Sequence, residues 1–442
     1  MKNITLILIF IFVLVATTAA ITIDSTRLLA QENLPPNRQI VRERMLADRQ
    51  APEDMTINDT IDAATPCLAG MAGIYPCANI DLLANVPLNK MDASDGNDIW
   101  GWTDPSSGRE FALVGLDNGL AFVEISDPVD PLYLGKLPTH SSNRIWRDVK
   151  VYRNHAFVVS EAPAHGLQII DLTELLNVPS PPKTFSETKH YDQFGSAHNI
   201  AINEASGYAY VVGAGSCSGG LHMIDIQNPI DPQFAGCFSE DGYTHDTQCV
   251  IYQGPDTSYQ GSEVCFSANE DTLTIADVTN KNNPVQLARE GYAGSSYTHQ
   301  GWLTEDHQYF LLGDELDEAH NGHNTRTYIW DVSDLQAPKV IGTFTGPTPA
   351  IDHNLYIQND LVYQANYSSG LRILDANLIS QGKLAEVAYF ETYPTSNSAS
   401  YNGAWSVYPF FTSGNIIVSD IERGLFVLKH VQSQLRYLPM IR

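Results

Sequence analysis

The sequence predicts an all-β fold: a seven-bladed β-propeller whose blades are four-stranded antiparallel sheets. Two observations lead to this prediction. A short apolar phrase recurs seven times along the chain, and further strand-like runs precede and follow almost every copy. Self-similarity at a period of roughly fifty residues is typical of repeat architectures, and four short strands per repeat are typical of propeller blades.

The repeated phrase is an alternating run of apolar, β-branched and aromatic residues, which is typical of a β-strand. Its copies read GLAFVEI from Gly119, GLQIIDL from Gly166, GLHMIDI from Gly220, TLTIADV from Thr272, RTYIWDV from Arg326, GLRILDA from Gly370 and GLFVLKH from Gly424. Six copies place an acidic residue five positions after the first. A carboxylate there can accept backbone N–H groups and start a turn, so we interpret these acids as structural.

Each copy is the third strand of a predicted blade. Two strands precede it, such as HNIAI from His198 and YAYVVGA from Tyr208, and a fourth follows, such as APKVIGTF from Ala337. Proline at the start of this fourth strand suits an outer edge, where a missing N–H does no harm. The seven innermost strands are predicted to start at Asn97, Arg147, His198, His245, His299, His353 and Gly403.

The last predicted unit lacks an outer strand. It begins at Tyr401 and reaches its third strand at Phe426, after which little chain is left. The run NIDLLANVPL, from Asn79 to Leu88, precedes the first unit and belongs to no unit of its own. We therefore predict that this N-terminal strand completes the last blade and closes the ring, which removes exposed sheet edges.

The amino terminus has the form of a secretory signal. Lys2, an apolar run over 4–15 and small residues over 16–20 predict a signal peptide within 1–30, cleaved near Ala20 or Ala30. An uncleaved membrane anchor is the alternative. No later segment offers about twenty consecutive apolar residues, so we expect no transmembrane span in the mature chain.

The rest of the chain divides into three parts. Residues 31–66 are rich in charge and proline and are interpreted as a linker. The propeller is predicted over 67–434 and a C-terminal tail over 435–442. The expected location is extracellular, either secreted or associated with the cell surface.

Charge and cysteine content narrow the possible partners. The chain carries 51 acidic and 25 basic residues, a net charge of −26, which would repel phosphate backbones and argues against nucleic acid. Six cysteines outside the signal agree with an oxidising compartment, and none has the paired CxxC spacing of a zinc site. Their clustering predicts three disulfides: Cys67 with Cys77, Cys217 with Cys237, and Cys249 with Cys265.

Several stretches also carry a family resemblance. CLAGMAGIYPCANIDLLANVPL from Cys67, GAGSCSGGLHMIDI from Gly213, GYTHDTQCVIYQGPD from Gly242 and GLRILDANL from Gly370 together resemble the choice-of-anchor B family of surface proteins, whose repeats resemble LVIVD repeats. The resemblance extends from Cys67 to about Val431 and implies an extracytoplasmic propeller. It implies no particular activity, and the LPXTG motif of anchored members is absent from this sequence.

The predicted topology gathers candidate functional residues on one face. The starts of the inner strands lie there, so His198, His245, His299 and His353 hold the same position in four consecutive blades. Loops between second and third strands join them on this face. These loops carry Glu161 and His165, Asn269 to Asp271, and the acidic insertion GDELDEAHNGHN, which includes Asp314, Glu315, Asp317, Glu318, His320 and His323.

This residue set offers candidate ligands for a divalent metal ion. Neutral imidazoles suit zinc, copper, iron or nickel, and carboxylates suit calcium. The four histidines are the candidate ligands, although metal–nitrogen bonds of about 2.0 to 2.1 Å require them to approach closely. The interpretation that we favour for the histidines is that they line a wet channel and bond to neighbouring backbone. The insertion is equally consistent with a solvated loop.

The function predicted from the sequence is binding. The chain shows no GxSxG, HExxH, Walker or EF-hand pattern. We therefore interpret it as a module that binds a protein, a glycan or a small molecule through the histidine face. The alternative is a metal-dependent hydrolase or lyase at the channel mouth, with the four histidines as ligands and Asp314 or Glu315 as general base.

Overall fold

The computed structural model describes residues 36–49 and 63–431. The predicted signal peptide and C-terminal tail lie outside these residues. The described chain begins with helix α1 (Pro36–Asp48). Three strands come before the first blade and pair elsewhere in the ring: β1 (Met71–Ala72), β2 (Tyr75–Ala78) and β3 (Ile80–Val86).

The strands that follow form the blades in chain order. The first blade contains β4 (Gly96–Thr103), β5 (Glu110–Leu116), β6 (Gly119–Glu124) and β7 (Leu132–Pro138). The second contains β8 (Arg147–Tyr152), β9 (His155–Ser160) and β10 (Leu167–Asp171); β11 (Lys183–Thr184) crosses to pair in parallel with β7, and β12 (Lys189–Tyr191) is the outer strand. The third contains β13 (Asn199–Asn203), β14 (Tyr208–Val212), β15 (Leu221–Asp225) and β16 (Gln233–Phe238).

The remaining blades repeat this order. The fourth contains β17 (Asp246–Ile251), β18 (Glu263–Ala268), β19 (Leu273–Asp277) and β20 (Val285–Glu290). The fifth contains β21 (Thr298–Leu303), β22 (Tyr309–Asp314), helix α2 (Asp317–Asn321), β23 (Arg326–Asp331) and β24 (Lys339–Thr345). The sixth contains β25 (Leu355–Gln358), β26 (Leu361–Ala365), β27 (Leu371–Asp375) and β28 (Ala385–Phe390), and the seventh β29 (Ala404–Tyr408), β30 (Asn415–Asp420) and β31 (Gly424–His430).

The N-terminal strand closes the ring, as predicted. Strand β3 pairs antiparallel with β31, from Ile80 opposite His430 to Val86 opposite Leu425. Alternate residues of β3 are buried, so one face of the strand packs into the core. The hairpin of β1 and β2 extends the sixth blade beyond β28, which the repeat pattern does not predict.

The core lies between neighbouring blades. Phe111 and Leu113 of the first blade pack in one cluster with Val149 and Val158 of the second. Strand β5 is buried at every position, because it is covered on both faces by adjacent blades. Each blade therefore depends on its neighbours to bury its apolar faces.

The three predicted disulfides are confirmed. They join Cys67 with Cys77, Cys217 with Cys237, and Cys249 with Cys265. The last pair links directly opposite residues of β17 and β18. No helix within 36–49 or 63–431 is long and apolar enough to cross a bilayer.

Candidate functional site

The four inner-strand histidines form one continuous arc around the channel mouth. All four rings are buried. The ring centres of His198 and His245 are 4.3 Å apart, those of His245 and His299 are 4.2 Å apart, and those of His299 and His353 are 4.4 Å apart. Adjacent blades thus bring the rings into contact. The sequence did not show whether histidines from different blades lie close enough to meet.

Hydrogen bonds to backbone carbonyls fix two of the rings. The Nδ1 atom of His245 lies 2.8 Å from the carbonyl oxygen of His299, and that of His353 lies 2.5 Å from the carbonyl oxygen of Trp405. A carbonyl oxygen only accepts, so each Nδ1 carries the proton and each Nε2 keeps its lone pair. Metal-binding histidines are commonly oriented by this kind of bond.

Burial keeps the histidines neutral. It lowers the pKa of all four rings, and it brings that of His353 to about 3. The neutral ring is the form that binds a metal ion.

Glu315 lies against the histidine arc. Its carboxylate oxygens are 3.7 Å from Nε2 of His299 and 3.7 Å from Nε2 of His353, and the Tyr367 hydroxyl donates to it at 2.7 Å. Burial raises the pKa of Glu315 to about 8. Ligand atoms of His245, His299 and Glu315 all lie within 4.8 Å of one another. Two ligands of one metal ion lie roughly 3 Å apart, so a small closure of this group would satisfy an ion.

Asp314 does not join the histidine cluster. Its carboxylate accepts hydrogen bonds from the backbone N–H groups of Ser296 and Tyr297 and from the hydroxyl of Tyr292, each at 2.7 Å. These bonds hold the end of β22 against the preceding loop. Of the two acids predicted from the insertion, the structure places Glu315 at the channel mouth and uses Asp314 to position the loop.

Helix α1 covers the channel mouth, within the segment that the sequence predicts to be a linker. Val41 and Met45 are buried in one apolar cluster with side chains of four blades: Trp146, Tyr297, Leu316, Ile351, Tyr367, Tyr401, Trp405 and Ile421. The spacing of Val41 and Met45, one helical turn apart, is the sequence signal that could have identified this helix. Beneath the helix a cavity of about 20 Å³ remains, which is room for one water molecule or ion.

Arg38 of α1 reaches the histidines directly. Its Nη2 atom lies 2.6 Å from Nδ1 of His198, and its guanidinium forms an ion pair with Glu161 and lies over the ring of Tyr243. The Glu161 carboxylate is in turn 2.7 Å from Nδ1 of His198. The mouth therefore already accommodates one cationic group.

A buried histidine beside the mouth makes stability depend on pH. Arg147 donates to Nε2 of His165 at 2.9 Å, and Nδ1 of His165 lies 3.0 Å from the carbonyl of Gly166. Desolvation, together with the Arg147 charge, lowers the pKa of His165 from 6.5 to about 3. The ring is therefore held neutral in the folded chain.

We expect His165 to destabilise the fold as the pH falls below 6.5. The unfolded chain then binds a proton at this ring while the folded chain does not, at a cost of about 2 kcal/mol between pH 7 and pH 5. Urea unfolding at both pH values measures the free energy of unfolding. Between pH 7 and pH 5 it should fall by about 2 kcal/mol less in a His165→Gln variant than in wild type. A His155→Gln variant should lose as much stability as wild type between the two pH values. An equal loss in all three proteins would contradict the role given to His165.

Most of the other predicted loop residues make contacts within a blade or belong to a further cluster, whereas His320 is exposed. Asn269 donates to Asp241 at 2.9 Å, and Asp271 pairs with Arg289 at 3.3 Å, so both hold the fourth blade together. Two further groups bring ligand atoms within 4.8 Å of one another. They are His140 with Glu187 and His190 on the rim of the second blade, and Asp317 with Glu318 and His323 in the insertion.

A second recess opens along the inner strands away from the histidines. It has a volume of about 270 Å³ and was not predicted from the sequence. Its walls are buried and half-buried aromatic rings, and its polar groups include Lys150, which pairs with Asp98 and Asp148. The aromatic residues are Trp100, Trp302, Tyr356, Tyr408 and Phe410.

Comparison with known proteins agrees with the fold. The LVIVD repeat family model matches residues 194–239, which comprise the third blade. No curated protein matches the chain significantly. The chain is thus a seven-bladed propeller with an LVIVD repeat and three disulfides, an arrangement that suggests a binding module.

Similar solved structures include two proteins of remote sequence. A protein from Lactobacillus plantarum is 12% identical, with a TM-score of 0.50, over 74% of this chain and 88% of that one. Hydrazine synthase from Kuenenia stuttgartiensis is 13% identical, with a TM-score of 0.50, over 74% of this chain and 93% of that one. Identities this low show the fold alone.

Proposed function

We propose that this protein is an exported or cell-surface binding module whose ligand site is the histidine mouth of the channel. A divalent transition-metal ion, held by His245, His299 and Glu315, forms the centre of that site. The observation that carries this proposal is the close approach of two neutral imidazoles and one carboxylate beside a cavity of about 20 Å³. Two nitrogen ligands and one carboxylate favour zinc, copper, nickel or iron over calcium or magnesium.

The extracellular location has independent support. All six cysteines are paired in disulfides, which persist mainly in oxidising compartments. The amino-terminal signal pattern and the resemblance to choice-of-anchor B proteins point the same way. A surface protein of this kind would meet its ligand outside the cell.

Elemental mass spectrometry tests the metal site. The protein, expressed with its signal and purified in mature form without chelator, is expected to carry one equivalent of a transition metal at the mouth, in addition to any ion bound elsewhere in the chain. The double variant His245→Ala/His299→Ala should lose that equivalent, because the remaining carboxylate alone binds such ions weakly. The variant His155→Ala removes a histidine from β9, away from the cluster, and should keep it.

Two controls make the result decisive. Circular dichroism and thermal unfolding must show that the double variant is folded, so that metal loss reports on ligands. Wild-type protein that carries no metal and takes up none on dialysis against zinc, copper or nickel would overturn the metal site.

A metal-dependent hydrolase or lyase is a second candidate function. The observation that favours it is Glu270, a carboxyl near the same mouth whose pKa is raised to about 7 by burial, which suits a general base. Asp314 is committed to its loop, and Glu315 would serve as a metal ligand. Turnover of a panel of esters, glycosides and phosphate esters, lost in Glu270→Gln with metal content unchanged, would support this function; no turnover by the metal-loaded protein would argue against it.

A further inference from the structure

Three acidic side chains interact where the insertion of the fifth blade approaches the start of the sixth: two of them lie within 4.8 Å of each other and of His323, and the third is near enough for its charge to affect them. Asp317 and Glu318 lie on α2, and Asp352 lies just before β25, one residue from His353. All three side chains are at least 98% buried. We call them the insertion carboxylates.

Each of these acids keeps buried oxygen atoms without a hydrogen-bond partner. Asp317 accepts from the Tyr328 hydroxyl at 2.8 Å, and Glu318 accepts from the backbone N–H of Arg326 at 3.0 Å, each through one oxygen. The second oxygen of each has no partner. Neither oxygen of Asp352 makes a hydrogen bond of normal geometry, and the backbone N–H of Asp314 lies only near enough to favour the charged form of this acid.

A histidine and a glycine complete the arrangement. Nδ1 of His323 lies 2.9 Å from the carbonyl oxygen of Asn324, so Nε2 keeps its lone pair. The Nε2 atom is 3.7 Å from the Asp317 carboxylate and has no hydrogen-bond partner. A Cβ atom at Gly313 would lie 2.3 Å from a carboxylate oxygen of Asp352. The absence of a side chain at Gly313 therefore makes room for this carboxylate against β22.

The cluster lacks positive charge. Burial raises the pKa of all three acids. Neighbouring charges raise the pKa of Glu318 and Asp352 further, whereas the interaction with Glu318 lowers that of Asp317. Arg326 favours the charged form of Asp317. One guanidinium is too little for three buried carboxylates, and such groups are normally paired, protonated or bound to metal.

We propose that Asp317, Glu318, Asp352 and His323 bind a first-row divalent metal ion such as zinc or manganese, separate from the ion at the histidine mouth. The imidazole favours these ions over calcium, which takes oxygen ligands. The bound ion ties the insertion to the sixth blade and satisfies the unpartnered oxygens. This site does not depend on the function proposed above.

The test uses the mature protein carrying His245→Ala/His299→Ala, so that the histidine mouth contributes no metal. After dialysis against zinc or manganese and removal of free ion, this background is expected to hold close to one equivalent, with a raised Tm. Adding Glu318→Gln or Asp352→Asn should remove both the metal and the Tm increase. Adding Asp360→Asn, an exposed carboxylate of the same blade, should change neither.

Two results would overturn the proposal. In the first, the background protein binds no metal and shows no Tm increase, and adding Glu318→Gln makes the metal-free protein more stable. This result would show that the insertion carboxylates share protons instead of binding an ion. In the second, calcium raises the Tm, zinc and manganese do not, and the increase persists after His323→Ala. This result would show a calcium site made of oxygen ligands, without the histidine. Because the background lacks the histidine site, either result leaves the first metal proposal untouched.

Discussion

Leu82→Ala is expected to lower the free energy of unfolding by about 2 to 5 kcal/mol, the usual cost of truncating a large core side chain. Leu82 lies in the closing strand β3 and is fully buried with Phe426 and Leu428 of β31 and Val407 of β29. The cavity would open in the contact that joins the two ends of the chain. Chemical unfolding of the disulfide-intact protein measures the change.

Leu132→Ala is the matched control for this substitution. Leu132 is also a strand residue, at the start of β7, but it is 47% exposed. Its truncation should alter stability by no more than about 0.5 kcal/mol. Similar small losses in both variants would mean that the closing strand contributes little to holding the ring.

Met45→Glu is expected to release helix α1 from the channel mouth. Met45 is fully buried against aromatic side chains, and an unpaired carboxylate placed there would cost several kcal/mol unless the helix leaves. Because every 1.4 kcal/mol is a tenfold change in population, the histidines should react at least tenfold faster with diethyl pyrocarbonate. Peptide mass spectrometry of the metal-free protein, read at His198 and His299, follows this reaction.

Leu46→Glu places the same charge on the same helix as a control. Leu46 is 40% exposed, so the helix should stay seated and the histidines should react at the wild-type rate. The thermal unfolding of the propeller should change little in either variant, because α1 belongs to no blade. Fast modification of the histidines in the wild-type protein would contradict the position of α1 over the channel mouth.

Repeats made the fold predictable. Each copy of the repeated phrase must bury its face on a neighbouring blade, so the seven copies predicted seven blades, and their common spacing placed four histidines at equivalent positions. The incomplete last unit likewise predicted that Asn79 to Leu88 would supply the missing strand. Pairings such as Cys217 with Cys237 followed, because both cysteines fall at one end of a single blade.

The chemistry of the mouth was less predictable. Repeat spacing aligns backbones, but it does not show which way Glu315 and Asp314 point, since neighbouring residues at a strand end diverge. The hydrogen bond from Nδ1 of His353 to the carbonyl oxygen of Trp405 joins the sixth and seventh blades, and it depends on how the two blades pack. Asp352 carries no motif at all, and only its approach to Asp317 and Glu318 identifies it.

The pairing of β3 with β31 also constrains the order of folding. Strand β3 is synthesised before all seven blades and finds its partner only after nearly the whole chain exists, so ring closure carries a large loop-closure entropy. Until then, β3 and the outer edge of β30 are unpaired strands open to aggregation. A chain truncated before β31 would therefore not form a closed propeller, even though its first six blades are complete in sequence.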